Sequence, residues 1–116
     1  MINIAIIGSR GLSDYNTFLN KMKEIELPTE EIRIVSGGAK GVDTLAERYA
    51  DEMNYDKLII KPEWSRYGKG AGIIRNKEII KNADMIIAFW DGKSPGTKHS
   101  IDRAKKLDKR IVIVLV

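Results

Sequence analysis

The sequence predicts an α/β fold in three layers, α/β/α, with five parallel strands in a doubly wound sheet. Three observations predict it. Five short runs rich in isoleucine and valine are nearly continuous in apolar residues, as strands buried on both faces should be. Between them lie segments whose apolar residues recur at helical spacing. Glycine and small hydroxyl residues gather in the loops that follow strands, whereas the loops that precede them, "LPTEE" and "KLDK", read as plain connectors.

The strands are expected at Ile2 to Ile7, Ile32 to Val35, Lys57 to Ile60, Asp84 to Phe89 and Arg110 to Leu115. The first helix, Tyr15 to Ile25, aligns Phe18, Leu19, Met22 and Ile25. The second, Val42 to Met53, aligns Val42, Leu45, Ala46, Tyr49 and Met53. The third, Gly72 to Asn82, offers Ile73, Ile74, Ile79 and Ile80; the fourth, Thr97 to Leu107, offers Ile101, Ala104 and Leu107. Asp14 and Asp43 suit caps or first turns, and Gly96-Thr97 suits a helix start. Strict alternation of strand and helix implies right-handed crossovers and a parallel sheet. No linker, low-complexity tract or repeat interrupts residues 1–116, which are expected to form one domain.

Composition narrows the function. There is no cysteine and one histidine, His99, so disulfide frameworks, thiolate zinc sites and histidine clusters are excluded, and no metal site is expected. A hydrophobic fraction of 43% supports an ordinary core, and no apolar run approaches the ~20 residues of a spanning helix. The first residues lack the basic segment of a signal peptide, so a cytoplasmic protein without a membrane partner is expected. The net charge of +4 permits a polyanionic partner without requiring one.

In parallel sheets ligands bind beyond the carboxyl ends of the strands, near the switch in strand order. Four loops leave those ends. In the first, Gly8, Ser9, Arg10 and Gly11 combine a sharp turn, a hydroxyl and a guanidinium fork suited to phosphate or carboxylate. The second, "SGGAKG", supplies Ser36, Gly37, Gly38, Lys40 and Gly41, with open backbone N–H groups and the positive end of a helix, an anion site. It has neither the GxGxxG spacing nor that of a Walker loop. Asp43 reads as a cap or as an acceptor for a ribose hydroxyl.

The third loop mixes Trp64 and Tyr67 with Arg66, Lys69, Arg75 and Asn76, suited to a nucleobase and its phosphate, or to a flap covering the core edge. In the fourth, Asp91 is a base, a hydroxyl acceptor or a turn residue before Gly92, and Gly96-Thr97 opens a helix toward an anion. Two helix starts and several cations facing one crevice imply an anionic ligand, most simply a nucleotide, with no separate cofactor.

The motifs "GSRG", "VSGGAKGVDTLAERYA", "RNKEIIKNADMIIAFWDGKSPGT" and "AKKLDKRIVIV", in that order, resemble the SLOG superfamily of Rossmann-like domains. That superfamily includes the DNA-processing protein A and the Lonely-Guy phosphoribohydrolases. The likeness is strongest to small stand-alone members related to the YspA and YpsA groups of bacteria and phages. It implies a nucleotide or nucleotide-derived ligand bound in the crevice by a sensor or sequestering module. It implies ligand contacts at Gly8, Ser9, Arg10, Ser36, Gly37, Gly38, Gly41, Arg75, Gly96 and Thr97, and a homo-oligomer.

Two other functions follow from the same resemblance: a nucleotide phosphoribohydrolase or other N-glycosidase, and single-stranded DNA binding. The phosphoribohydrolases carry a glutamate in the motif "PGGxGTxxE", and here Ser100 stands in its place. A serine cannot act as that carboxylate. Asp43, Asp91 and Asp102 are the candidates to replace it, and catalysis is left undecided.

Overall fold

A computed structural model describes residues 1–116. The elements run β1 (Ile2–Gly8), α1 (Tyr15–Lys23), β2 (Ile32–Ser36), α2 (Val42–Glu52), β3 (Asp56–Ile59), α3 (Trp64–Tyr67), a 3-10 turn (Gly68–Gly70), α4 (Ala71–Asn82), β4 (Met85–Trp90), α5 (Pro95–Lys106) and β5 (Arg110–Leu115). The five strands form one parallel sheet in the order β3-β2-β1-β4-β5. Ile4 pairs with Ile34 on β2, Ile6 with Ile87 on β4, and Ile87 with Val112 on β5. The order reverses between β1 and β4, so the crevice of a doubly wound sheet opens there.

Alternation along each strand divides the core between the two faces of the sheet. Ile4, Ile6, Ile34, Ile87 and Phe89 face α1 and α2, where they meet Phe18, Met22, Val42, Leu45, Ala46 and Tyr49. Ala5, Ile7, Val35, Ile86 and Ala88 face α4 and α5, where they meet Ile79, Ile80, Ile101 and Ala104. Phe18 stacks on Phe89 at 4.8 Å and meets Tyr49 edge-on at 5.9 Å.

Strand and helix bounds differ from the sequence reading by one or two residues, as is usual at frayed ends. Larger differences have physical causes. The Trp64–Tyr67 stretch is a short helix rather than loop, because four residues are too few to display a helical period. The edge strands β3 and β5 are not buried on both faces: Ile113 and Leu115 are exposed, since each edge strand has one neighbour and partial helix cover. Met53, Leu107, Ile73 and Ile74 are exposed at the ends of their helices, while Tyr15 joins the core.

Asp14 is the N-cap of α1: its carboxylate accepts from the Asn16 N–H at 3.0 Å and the Thr17 hydroxyl at 2.9 Å. Asp14→Ala is expected to lower the urea midpoint at pH 7. The bonds also hold the Asp14 carboxyl below its ordinary value, so stability gained from it is lost as pH falls through that lowered value.

Candidate functional site

The site begins where β1 ends. A Cβ on Gly8 would lie 2.4 Å from the Phe89 carbonyl oxygen and 2.7 Å from Val42 Cγ2, so only glycine lets β1 close against β4 and α2 here. Ser9 then donates its N–H to Phe89 O at 3.0 Å and accepts from Val42 N at 3.4 Å. These bonds hold the Ser9–Arg10–Gly11 turn between the end of β4 and the start of α2.

The loop after β2 supports this turn from beneath. Gly41 has φ 77° and its Cα faces the Arg10 backbone, where a Cβ would lie 2.5 Å from the carbonyl oxygen. Gly37 lies under Arg75, whose Nη1 donates to Gly37 O at 2.6 Å and whose Nε donates to Asn76 Oδ1 at 2.8 Å. Asp43, in the first turn of α2, is buried, and its Oδ2 accepts from Ala39 N at 3.1 Å. The positive end of α2 therefore already has a carboxylate beside it. Close packing is a structural reason for the glycines of "SGGAKG", beside the anion-binding role expected of them.

The opposite wall is the start of α5. The cap residue Ser94 makes no capping bond with its hydroxyl, which turns to Asp91 Oδ2 at 2.9 Å and Ser9 Oγ at 3.1 Å. Pro95 occupies the first turn, where its missing N–H costs nothing. Thr97 and Ser100 are largely buried residues that line the crevice. Arg10, Lys69 and Arg75 line the same cavity, of about 560 Å³.

Of the residues expected at the site, Gly8, Ser9, Arg10, Asp43, Arg75, Asn76, Gly96 and Thr97 line this cavity together. Ser36, Gly37, Gly38, Lys40 and Gly41 do not line it. Ser36 is fully buried, with its hydroxyl 3.5 Å from Asp43 O. Trp64 stands outside at 55% exposure, its ring tip beside Gly72. Asp91 also lies outside, its Oδ1 holding the N–H groups of Lys93 at 2.8 Å and Ser94 at 2.7 Å.

Asp102 pairs with Lys98 at 2.9 Å on the exposed side of α5, and His99 is exposed. Of the three aspartates considered as substitutes for the missing glutamate, Asp43 alone lines the crevice. Ser94, Pro95, Ala39, Gly72 and Ile73 are lining residues that carried no sequence signal, apart from the place of Ser94 just before a helix start. No group of three or more histidine, aspartate or glutamate side chains is arranged to hold a metal ion.

The electrostatics follow from burial. Desolvation pushes the Asp43 carboxyl above its ordinary value, against the pull of the Ala39 N–H and the Arg75 charge. Burial also lowers the Arg75 guanidinium, with the Arg10 charge adding to it and Asp43 opposing it. A carboxyl raised on folding costs stability above its folded pKa, and the cost vanishes below its unfolded one. Asp43→Asn, which keeps an acceptor for Ala39 N–H, is therefore expected to be the more stable protein at pH 7. Urea denaturation should show the gap closing as pH falls toward 4.

Comparison with known proteins agrees with this architecture. A profile described as the YspA, cpYpsA-related SLOG family (YAcAr) matches residues 2–67. The Gene 61 protein of Mycobacterium phage D29 is 34% identical over 113 residues, covering 91% of this chain and 90% of its own. The X-ray structure of DNA processing protein A from Streptococcus pneumoniae superposes with a TM-score of 0.78 at 21% identity, over 97% of this chain and 50% of that one.

DNA processing protein A from Helicobacter pylori, described for its single-stranded DNA binding mode, gives 0.74 at 25% identity, over 97% of this chain and 64% of that one. The X-ray structure of TM1055 gives 0.67 at 18% identity, over 96% of this chain and 72% of that one. The chain thus spans only part of either DNA processing protein. A five-stranded, Rossmann-like parallel sheet, the order of its loops, the matching profile and the phage relative agree: this chain belongs to the YspA, cpYpsA-related SLOG family.

Proposed function

We propose that the crevice between the ends of β1 and β4 binds a nucleotide or nucleotide-derived molecule, as a sensor or sequestering module in the cytoplasm. The observation that carries this reading is a cavity of about 560 Å³ lined by Arg10, Lys69 and Arg75 together with the start of α5, Thr97 and Ser100. Cations and open helix N–H groups suit phosphate, and hydroxyls suit a sugar. Calorimetric titration with mono-, di- and cyclic nucleotides and NAD derivatives tests it. Binding below millimolar concentration is expected for at least one; none at all overturns the reading.

One observation favours an N-glycosidase as the second reading. Asp43 places a carboxyl with a raised pKa in the crevice, close to Arg75, despite the serine at position 100. Chromatography of a released base from nucleoside monophosphates or NAD derivatives tests it. Turnover that survives Asp43→Asn removes Asp43 from that role.

Single-stranded DNA binding is supported by exposed Trp64 and Tyr67 beside Lys69, a stacking surface next to cations, and by what is described for the Helicobacter pylori protein. Undetectable binding at low salt overturns it. A homo-oligomer belongs to the proposal as well. Exposed Trp64, Ile73 and Ile74 on α3 and α4 support it, and sedimentation equilibrium checks it.

A further inference from the structure

Ser9 is held in a chain of hydrogen bonds whose direction can be worked out. Its Oγ accepts the Asp91 N–H at 3.3 Å and lies 3.1 Å from Ser94 Oγ. Ser94 has one hydroxyl proton and two acceptors within reach, Ser9 Oγ and Asp91 Oδ2 at 2.9 Å. The carboxylate is the nearer and the charged acceptor, so it takes the proton. The N–H groups of Ser94 and Lys93 hold the Asp91 carboxyl below its ordinary value, which keeps it ionised at neutral pH. With the Ser94 proton committed, two lone pairs would confront each other at 3.1 Å unless Ser9 donates to Ser94. Ser9 then has one lone pair left and no proton to offer the cavity it lines.

We propose that Ser9 meets the ligand as a hydrogen-bond acceptor, and that this wall selects a donating group, a sugar hydroxyl, over a phosphate or carboxylate oxygen. The proposal rests on the nucleotide reading of the crevice. The phosphate is left to Arg10, Lys69, Arg75 and the open start of α5, and the neighbouring sugar takes Ser9. Asp91 and Ser94 are positioning residues, which act only by drawing the Ser9 proton away.

Two substitutions reverse the chain. In Asp91→Asn the amide oxygen must face the N–H groups of Lys93 and Ser94, so its NH2 donates to Ser94. Ser94 then donates to Ser9, and the Ser9 proton turns to the crevice. In Ser94→Ala the Ser9 proton loses its acceptor and turns the same way, with the Asp91 charge unchanged.

The test has two arms. Calorimetry compares the tightest-binding nucleoside monophosphate with its 2′-fluoro and 3′-fluoro analogues, since fluorine keeps the size but cannot donate. The wild type is expected to bind one analogue about tenfold more weakly, the value of one hydrogen bond. In Asp91→Asn and Ser94→Ala the difference should fall to about threefold or less. Equal binding by the wild type, or a preference unchanged in both variants, overturns the proposal. The second arm needs no ligand: neutron diffraction from the deuterated wild type should place the Ser9 deuteron toward Ser94 Oγ, and a deuteron pointing into the crevice overturns the proposal. If no nucleotide binds, the nucleotide reading fails, while the neutron map still decides the direction of the chain.

Discussion

Gly41→Ala is expected to lower stability by ~3 kcal/mol, the sum of a strained conformation and a steric clash. Gly41 has φ 77° and ψ −128°, a backbone region adopted almost only by glycine. A methyl group there would lie 2.5 Å from Arg10 O and 2.6 Å from both the Arg10 carbonyl carbon and Cα. The obstacle is main chain, which cannot swing aside as a side chain can. The cost is a large share of the roughly 5–15 kcal/mol that holds a typical domain folded. A drop of roughly 10–15 °C in the thermal midpoint is expected for a chain of this size. Gly11→Ala is the control, because a methyl group on Gly11 would meet no atom within 4 Å and its φ is not positive. If the two variants melt together, the account of Gly41 is wrong. The surviving fraction of Gly41→Ala should also bind ligand poorly, since the methyl displaces Arg10 from the crevice wall.

Arg75→Ala should reduce nucleotide affinity by about 100-fold, or ~3 kcal/mol, measured by calorimetry. The half-buried guanidinium ties Gly37 O to Asn76 Oδ1 and faces the cavity between Arg10 and Asp43. Removing it deletes a cation from the proposed ligand site and leaves Gly37 O without its partner. It also removes the charge that pulls the Asp43 carboxyl down, so NMR titration should find that carboxyl higher still. Arg75→Lys restores a charge without the two-bond fork and should recover only part of the affinity. Unchanged affinity in Arg75→Ala would place the ligand elsewhere.

Much of this architecture is local in origin. The Ile2–Gly8 and Met85–Trp90 strands are apolar on both faces because both faces are covered, and that continuity is visible in the residue order. Phe18, Met22, Leu45 and Tyr49 reach the core because helical spacing aligns them. Parallel pairing places the ends of all strands on one side, so the four loops rich in glycine and cations could be grouped before any contact was known.

The roles within those loops were not local. Arg75 meets Gly37 across 38 positions, Asp91 meets Ser9 across 82, and Ser94 meets Ser9 across 85. Composition reads "SGGAKG" as a cradle for phosphate, yet Gly37 is small because a guanidinium covers it, and Gly41 because the Arg10 backbone crosses it. Asp91 reads as a base or turn residue; its carboxylate is instead committed to two backbone N–H groups and the Ser94 hydroxyl. Residue order alone specifies the strands, the helices and the end of the sheet where the glycine-rich and cationic loops gather, because hydrophobic periodicity and loop chemistry act over neighbouring residues. Only the packed chain places the Asp43 carboxyl at the start of α2, leaves the start of α5 without a side-chain cap and brings Ser9 against Asp91 and Ser94, because burial and hydrogen bonding depend on groups far apart in the chain.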